Sequence, residues 1–196
     1  MFLCVSLLVF CHLVFAESQN PTQSLQSFLE TLRGMDFPGE ESAKHDAQVQ
    51  KAHAAMDLEA MGKKALGAHW AEAQPEQQKE FMALLWKFIE NIAYPRSKEF
   101  LGNRPIDYGA PKALREGLEI QTTVKNQDEA LNASIVYNLY DQEGNWKIYD
   151  IFLDGVSITE DLKFQFDKII QESGFPGLLN RMRERLAKAE QENQKK

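Results

Sequence analysis

Asp150 and Asp154 are the residues of this chain whose type and spacing come nearest to doing chemistry. Trp146–Leu153 reads as a strand, so a spacing of four puts both carboxylates on the face of Ile148 and Phe152. A carboxyl held against an apolar interior is raised in pKa and can serve as a general base, as an isomerase or hydratase on a cone-shaped sheet would require. The plainer alternative carries more weight: Asp154 before Gly155 suits a turn, and Asp150 suits a basic or backbone partner. Metal chemistry has less support still. His45 and His53 sit in a polar, Ala-rich helical stretch, where a solvated imidazole is the ordinary outcome, and His69 stands apart beside Trp70. No HExxH, GxSxG, P-loop or strand-following GxGxxG occurs, and Gly174-Phe175-Pro176-Gly177 is a helix break. No metal and no cofactor are expected.

Composition removes further classes. The 196 residues carry 22 Lys and Arg against 29 Asp and Glu, a formal charge of -7. An acidic chain without a basic cluster does not suit nucleic acid. With 43% hydrophobic residues the chain can build a core, which excludes wholesale disorder. The opening MFLCVSLLVFCHLVFA is apolar but shorter than the roughly 20 residues a spanning helix needs. It reads as an export signal, residues 1–16, cleaved after Ala16. Both cysteines, Cys4 and Cys11, leave with it, so the mature chain has no thiol. Phe10 before Cys11 does not suit lipid modification. In a bacterium with two membranes the product is periplasmic.

The elements that must position any site follow from periodicity. Pro21–Arg33 places Leu25, Phe28, Leu29 and Leu32 at helical spacing. Glu40–Lys51 is a polar helix, and Met56 to Trp70 continues the helical region. Pro75–Tyr94 is the clearest element: Phe81, Leu84, Leu85, Phe88 and Ile92 form one stripe, which Pro95 is expected to end. Four strands follow, over Arg104–Ala110, Leu118–Val124, Leu131–Tyr140 and Trp146–Leu153, joined by short polar turns. Helices over Ser157–Glu172 and Pro176–Gln191 close the chain, separated by Gly174. The expected fold is α+β: a curved four-stranded antiparallel meander covered on one face by helices. One domain is expected over residues 17–187, with a charged, frayed tail at 188–196. Periodicity leaves open whether the apolar interior is filled or hollow.

A resemblance answers part of that. WKIYDIFLDGVSITEDLKFQFDKIIQESGFPGLLNRM, Trp146 to Met182, combines a Trp-basic-apolar-Tyr-Asp strand, an acidic-Gly-Val-Ser corner and an aromatic-rich helix. It resembles the MlaC, or toluene-tolerance, family. LGAHWAEAQPEQQKEFMALLWKFIENIAY, Leu66 to Tyr94, is similar to that family's Leu-Gly-x-x-Trp, Pro-x-x-Gln and Glu-Phe stretch. One departure is that Asp161-Leu162-Lys163 stands where many relatives carry Asn-Tyr-Arg. The resemblance implies a cone-shaped fold with an apolar cavity and a periplasmic carrier of phospholipid acyl chains, not an enzyme. It would act as a monomer between the MCE-domain component of an inner-membrane ABC transporter and an outer-membrane lipoprotein. A hopanoid is the alternative cargo. The lining implied comprises Trp70, Phe81, Leu85 and Phe88 from the helices, Ile120, Ile135, Tyr137, Ile148 and Phe152 from the sheet, and Phe166 and Ile170 from the C-terminal helix.

Overall fold

Asn20 opens the first helix by accepting the Thr22 backbone N–H at 2.9 Å, with Pro21 following where its missing N–H costs nothing. The computed structural model describes residues 20–36 and 42–193. The expected export signal lies outside the described residues. Helix α1 (Pro21–Gly34) buries Leu25, Phe28, Leu29 and Leu32. Helix α2 (Ser42–Ala54) is polar and gives the core little beyond Val49 and Ala52. Asp57 caps α3 (Leu58–Leu66) by accepting the Ala60 N–H at 2.9 Å, and the short α4 (Ala68–Glu72) follows. At the start of α5 (Pro75–Phe88) the Gln77 side chain accepts the Gln74 N–H at 2.9 Å.

The helix does not end at Pro95. A π turn over Ile89–Ala93 leads straight into α6 (Tyr94–Leu101). Proline offers no N–H, and its ring presses on the carbonyl four residues back, here that of Asn91. A wider turn just before Pro95 shifts the hydrogen-bond register and relieves that conflict. The Asn91 side chain donates to the Lys87 carbonyl at 2.9 Å. The extra residue also rotates everything after it by about 100°.

The sheet is antiparallel throughout, in the order β1 (Ile106–Tyr108), β3 (Leu118–Val124), β4 (Ala133–Gln142), β5 (Asn145–Leu153), β6 (Val156–Ser157). The two-residue β2 (Lys112–Ala113) shares with β1 the edge of β3. The α+β class is as expected, and the four expected strands are β1, β3, β4 and β5. The short β2 and β6 are additions too brief for alternation to reveal. Glu143-Gly144 and Asp154-Gly155 turn the last two hairpins with positive φ at both positions, which suits the strand twist. Gly117 is required by proximity: a Cβ there would lie 2.0 Å from the Leu139 carbonyl oxygen.

Strand β5 departs from simple alternation. Asn138 pairs with Asp150 but Leu139 pairs with Ile148, so Tyr149 is the extra residue of a β-bulge. A one-residue shift exchanges the faces of all that follows. Ile151 and Leu153 therefore pair with Tyr137 and Ile135 on the inner face, while Phe152 pairs with Val136 on the other. The expected grouping of Ile148 with Phe152 does not hold. Ahead of β6, the side of β5 away from β4 is met by the chain entering α3: Ile148 donates to the Ala55 carbonyl and accepts the Asp57 N–H, both at 2.8 Å.

Helix α7 (Ile158–Asn193) has two arms meeting at Gly174, whose φ of 69° and ψ of 174° break the helix before Pro176. Its second arm runs to Asn193. Between α3, α5 and α7 the interior is filled. Phe81 meets Phe166 edge-on at 5.6 Å between ring centroids, with Leu66, Leu178, Leu179 and Met182 buried in the same core.

Candidate functional site: an apolar cavity

Beyond the π turn the helix faces different neighbours. Ile89, Ala93, Tyr94, Ser97, Phe100 and Leu101, with Phe28, Leu29 and Leu32 of the adjoining α1, look across at the inner face of the sheet. The two sides do not close. A cavity of about 320 Å³ remains between them, at the small end of the roughly 300–1,000 Å³ typical of ligand pockets. Ile135 and Tyr137 of β4 with Ile151 and Leu153 of β5 form its sheet wall; Met56, Met61 and Ile158 complete it. Phe100 and Leu153, 40% and 47% exposed, are large apolar side chains of the lining that reach solvent. Arg96 is the charged residue of the lining.

The walls are electrically quiet. The Tyr94 hydroxyl donates to the Met56 sulfur at 3.8 Å, and burial pushes the Tyr94 and Tyr137 phenols well up, so both stay neutral. Such a space can shelter hydrocarbon. Among the described residues its lining holds no carboxylate and no imidazole.

Asp150 does a different job. It is 1% exposed, and its Oδ1 accepts from Thr159 Oγ1 at 2.8 Å and from the Ile151 N–H at 2.9 Å. Its Oδ2 accepts from Ser157 Oγ at 2.8 Å and Lys64 Nζ at 3.0 Å. Burial alone would raise this carboxyl; hydrogen bonds from Thr159, Lys64 and Ser157 outweigh it and hold the group below the ordinary carboxylate range. That shift is opposite to what a general base at neutral pH needs. Asp150 fastens the start of α7 to β5 and α3, and Asp154 is a hairpin-turn residue.

The histidines are dispersed. His53 is not simply solvated: its ring lies 4.0 Å from that of Trp86, and burial lowers its pKa. His69 joins α4 to α7, with Asp167 at 2.8 Å and Glu72 at 3.2 Å. Among the described residues no group of three or more His, Cys, Asp or Glu could hold a metal. Among them, too, no helix is long and apolar enough to cross a membrane.

Of the lining residues named from sequence, the structure brings Ile135 and Tyr137 to the cavity. Phe81, Leu85, Ile120, Ile148 and Phe166 are buried core residues, and Trp70, Phe88 and Ile170 are half-buried against that core. Phe152 lies on the opposite face of β5. Sequence reasoning missed the contributions of α1, α6 and the Ile151/Leu153 pair. One signal was available: Tyr94, Ser97 and Leu101 continue helical spacing beyond Pro95.

Comparison with known proteins bears on this geometry. The sequence profile described as MlaC protein matches residues 22–184. The "Intermembrane phospholipid transport system binding protein MlaC" of Haemophilus influenzae is 26% identical over 133 residues, covering 66% of this chain and 62% of that protein. The match thus spans less than two thirds of that relative's length. A phospholipid-binding protein from Ralstonia solanacearum, solved in complex with a phospholipid, superimposes with a TM-score of 0.71 at 25% identity. That likeness covers 89% of this chain and 99% of the other. By the profile match over most of its length, the chain belongs to the MlaC family.

Proposed function

We propose that this protein is a lipid carrier, holding phospholipid acyl chain in the cavity between α1, α6 and the sheet without turning it over. The observation that carries this reading is an open space of about 320 Å³ walled by aliphatic and aromatic side chains, with Arg96 as its charged member. Burial of hydrocarbon is worth about 0.8 kcal/mol per methylene, so one long tail gains on the order of 10 kcal/mol in such a lining. A carrier must match that gain, or the lipid stays in its membrane. The Ralstonia solanacearum protein binds phospholipid in a related fold, and the Haemophilus influenzae protein is named for intermembrane phospholipid transport, which supports the same cargo here.

On this reading residues 17–187 are the carrier domain, exported by the leader at residues 1–16 to a periplasm, and no cofactor is needed. A monomer would exchange lipid with an MCE-domain component of an inner-membrane ABC transporter and with an outer-membrane lipoprotein. The direction of net transfer would follow the affinities of donor and acceptor, because a carrier alone shifts no equilibrium.

Native mass spectrometry of the protein purified from its own compartment, with extraction and lipid analysis, tests this. Stoichiometric phospholipid is expected. A hopanoid would change the cargo, and an apo mass persisting after incubation with phospholipid vesicles would overturn the reading.

A further inference from the structure

The last residue of the π turn, Ala93, and Arg96, Ser97 and Phe100 of α6 lie along the cavity at spacings that share one helix face. Arg96 is exposed, and although Glu99 lies three residues on, no carboxylate among the described residues pairs with Arg96. The setting makes this unusual. The chain carries a formal charge of -7, and most other members of the lining are hydrocarbon or phenol. An unpaired guanidinium stands where the apolar lining gives way to water, next to the exposed Phe100.

We infer that Arg96, assisted by the Ser97 hydroxyl, is a phosphodiester-binding site that clamps the headgroup end of the bound lipid. The inference rests on the carrier reading and deepens it. In a phospholipid the phosphate sits where hydrocarbon ends, so tails in the cavity bring it to the rim. The guanidinium fork matches two non-bridging phosphate oxygens with parallel, charge-assisted hydrogen bonds, which an ammonium cannot reproduce as a pair. Against the repulsion of an acidic chain, a local cation at the entrance is also what admits an anionic headgroup. The site would therefore favour lipids that carry phosphate over neutral lipids with the same tails.

The test compares dioleoyl phosphatidylglycerol with dioleoylglycerol, identical in acyl chains, as cargo for the purified protein and for Arg96→Gln and Arg96→Lys. The unaltered protein is expected to prefer the phospholipid by about tenfold, the size of one good charged contact. Arg96→Gln should bring the two lipids near parity by lowering phospholipid uptake, while the melting temperature stays unchanged. Arg96→Lys should restore only part of the preference. A preference that survives Arg96→Gln overturns the inference and leaves the carrier reading standing, as does parity in the unaltered protein. Uptake of neither lipid removes both. Inorganic phosphate supplied at millimolar concentration should not displace the phospholipid; if it binds and does so through Arg96, the site serves a free anion and the headgroup assignment is wrong.

Discussion

The interior has two halves made of the same kinds of side chain and packed in opposite ways. Between α3, α5 and α7, Phe81 is wholly buried and touches Phe166 edge-on, with Phe175 at 6.4 Å. There Gly62 lets α3 and α5 come so near that a Cβ would sit 2.9 Å from Leu85 Cδ2 and Met82 Sδ. Between α1, α6 and the sheet, Phe28, Leu29, Ile89 and Tyr137 border empty space. Composition does not separate the halves. What differs is whether the backbone can close: a glycine brings two helices together in one half, and in the other a π turn ahead of Pro95 redirects the helix so that it packs on α1 while the pair stands off the sheet. Apolar residues build a core or a cavity according to the elements that carry them.

Predictions can break or sharpen this contrast. The largest effect is expected in the filled half: Phe81→Ala should cost about 4 kcal/mol of unfolding free energy, read from denaturant titration, because the gap cannot collapse. A loss under about 1 kcal/mol would mean this half is also loosely packed. A matched pair comes next. Ala65, buried in α3, and Ala93, on the cavity wall, differ in the free space beside them. Ala65→Phe should destabilise by about 3 kcal/mol or stop folding, whereas Ala93→Phe should leave the melting temperature nearly unchanged and lower bound lipid several-fold. Equal destabilisation of the two would erase the distinction.

Asp150 sits outside both halves and ties them together through α7. Asp150→Ala should cost about 2–3 kcal/mol, from the stranded Thr159, Ser157 and Lys64 donors, with the urea midpoint as readout. Lipid uptake should persist in the folded fraction, which an enzyme base would not lead one to expect of activity. A smaller effect is its pH dependence. The folded carboxyl lies below its unfolded value of about 3.9, so its stabilisation is complete above that pH and is lost as pH falls through the folded pKa. The difference in stability between the protein and Asp150→Asn should therefore shrink on moving from pH 7 to pH 3. A constant difference would mean that this carboxyl is not held ionised.

Much of this could be read without coordinates. Leu25, Phe28, Leu29 and Leu32 recur at helical spacing and do form the buried face of α1. Ile135 and Tyr137 alternate on β4 and do share the inner face. Such patterns are local, because helix and strand periods are set by backbone geometry within a few residues. The site was far less legible. The single extra residue at Tyr149 moved Ile151 and Leu153 onto the cavity wall in place of Phe152. The π turn at Ile89–Ala93 carried the helix on past Pro95 and gave the cavity Arg96 and Phe100 from a stretch expected to lie beyond the helix.

By itself, then, the sequence determined the order and type of the principal elements, the Gly174 break, the apolar faces and the family resemblance, since each is encoded in neighbouring residues. Only the tertiary structure decided which apolar faces meet and which stay apart. That depends on register shifts of one residue and on how closely helices tens of residues apart can approach, quantities no local pattern contains.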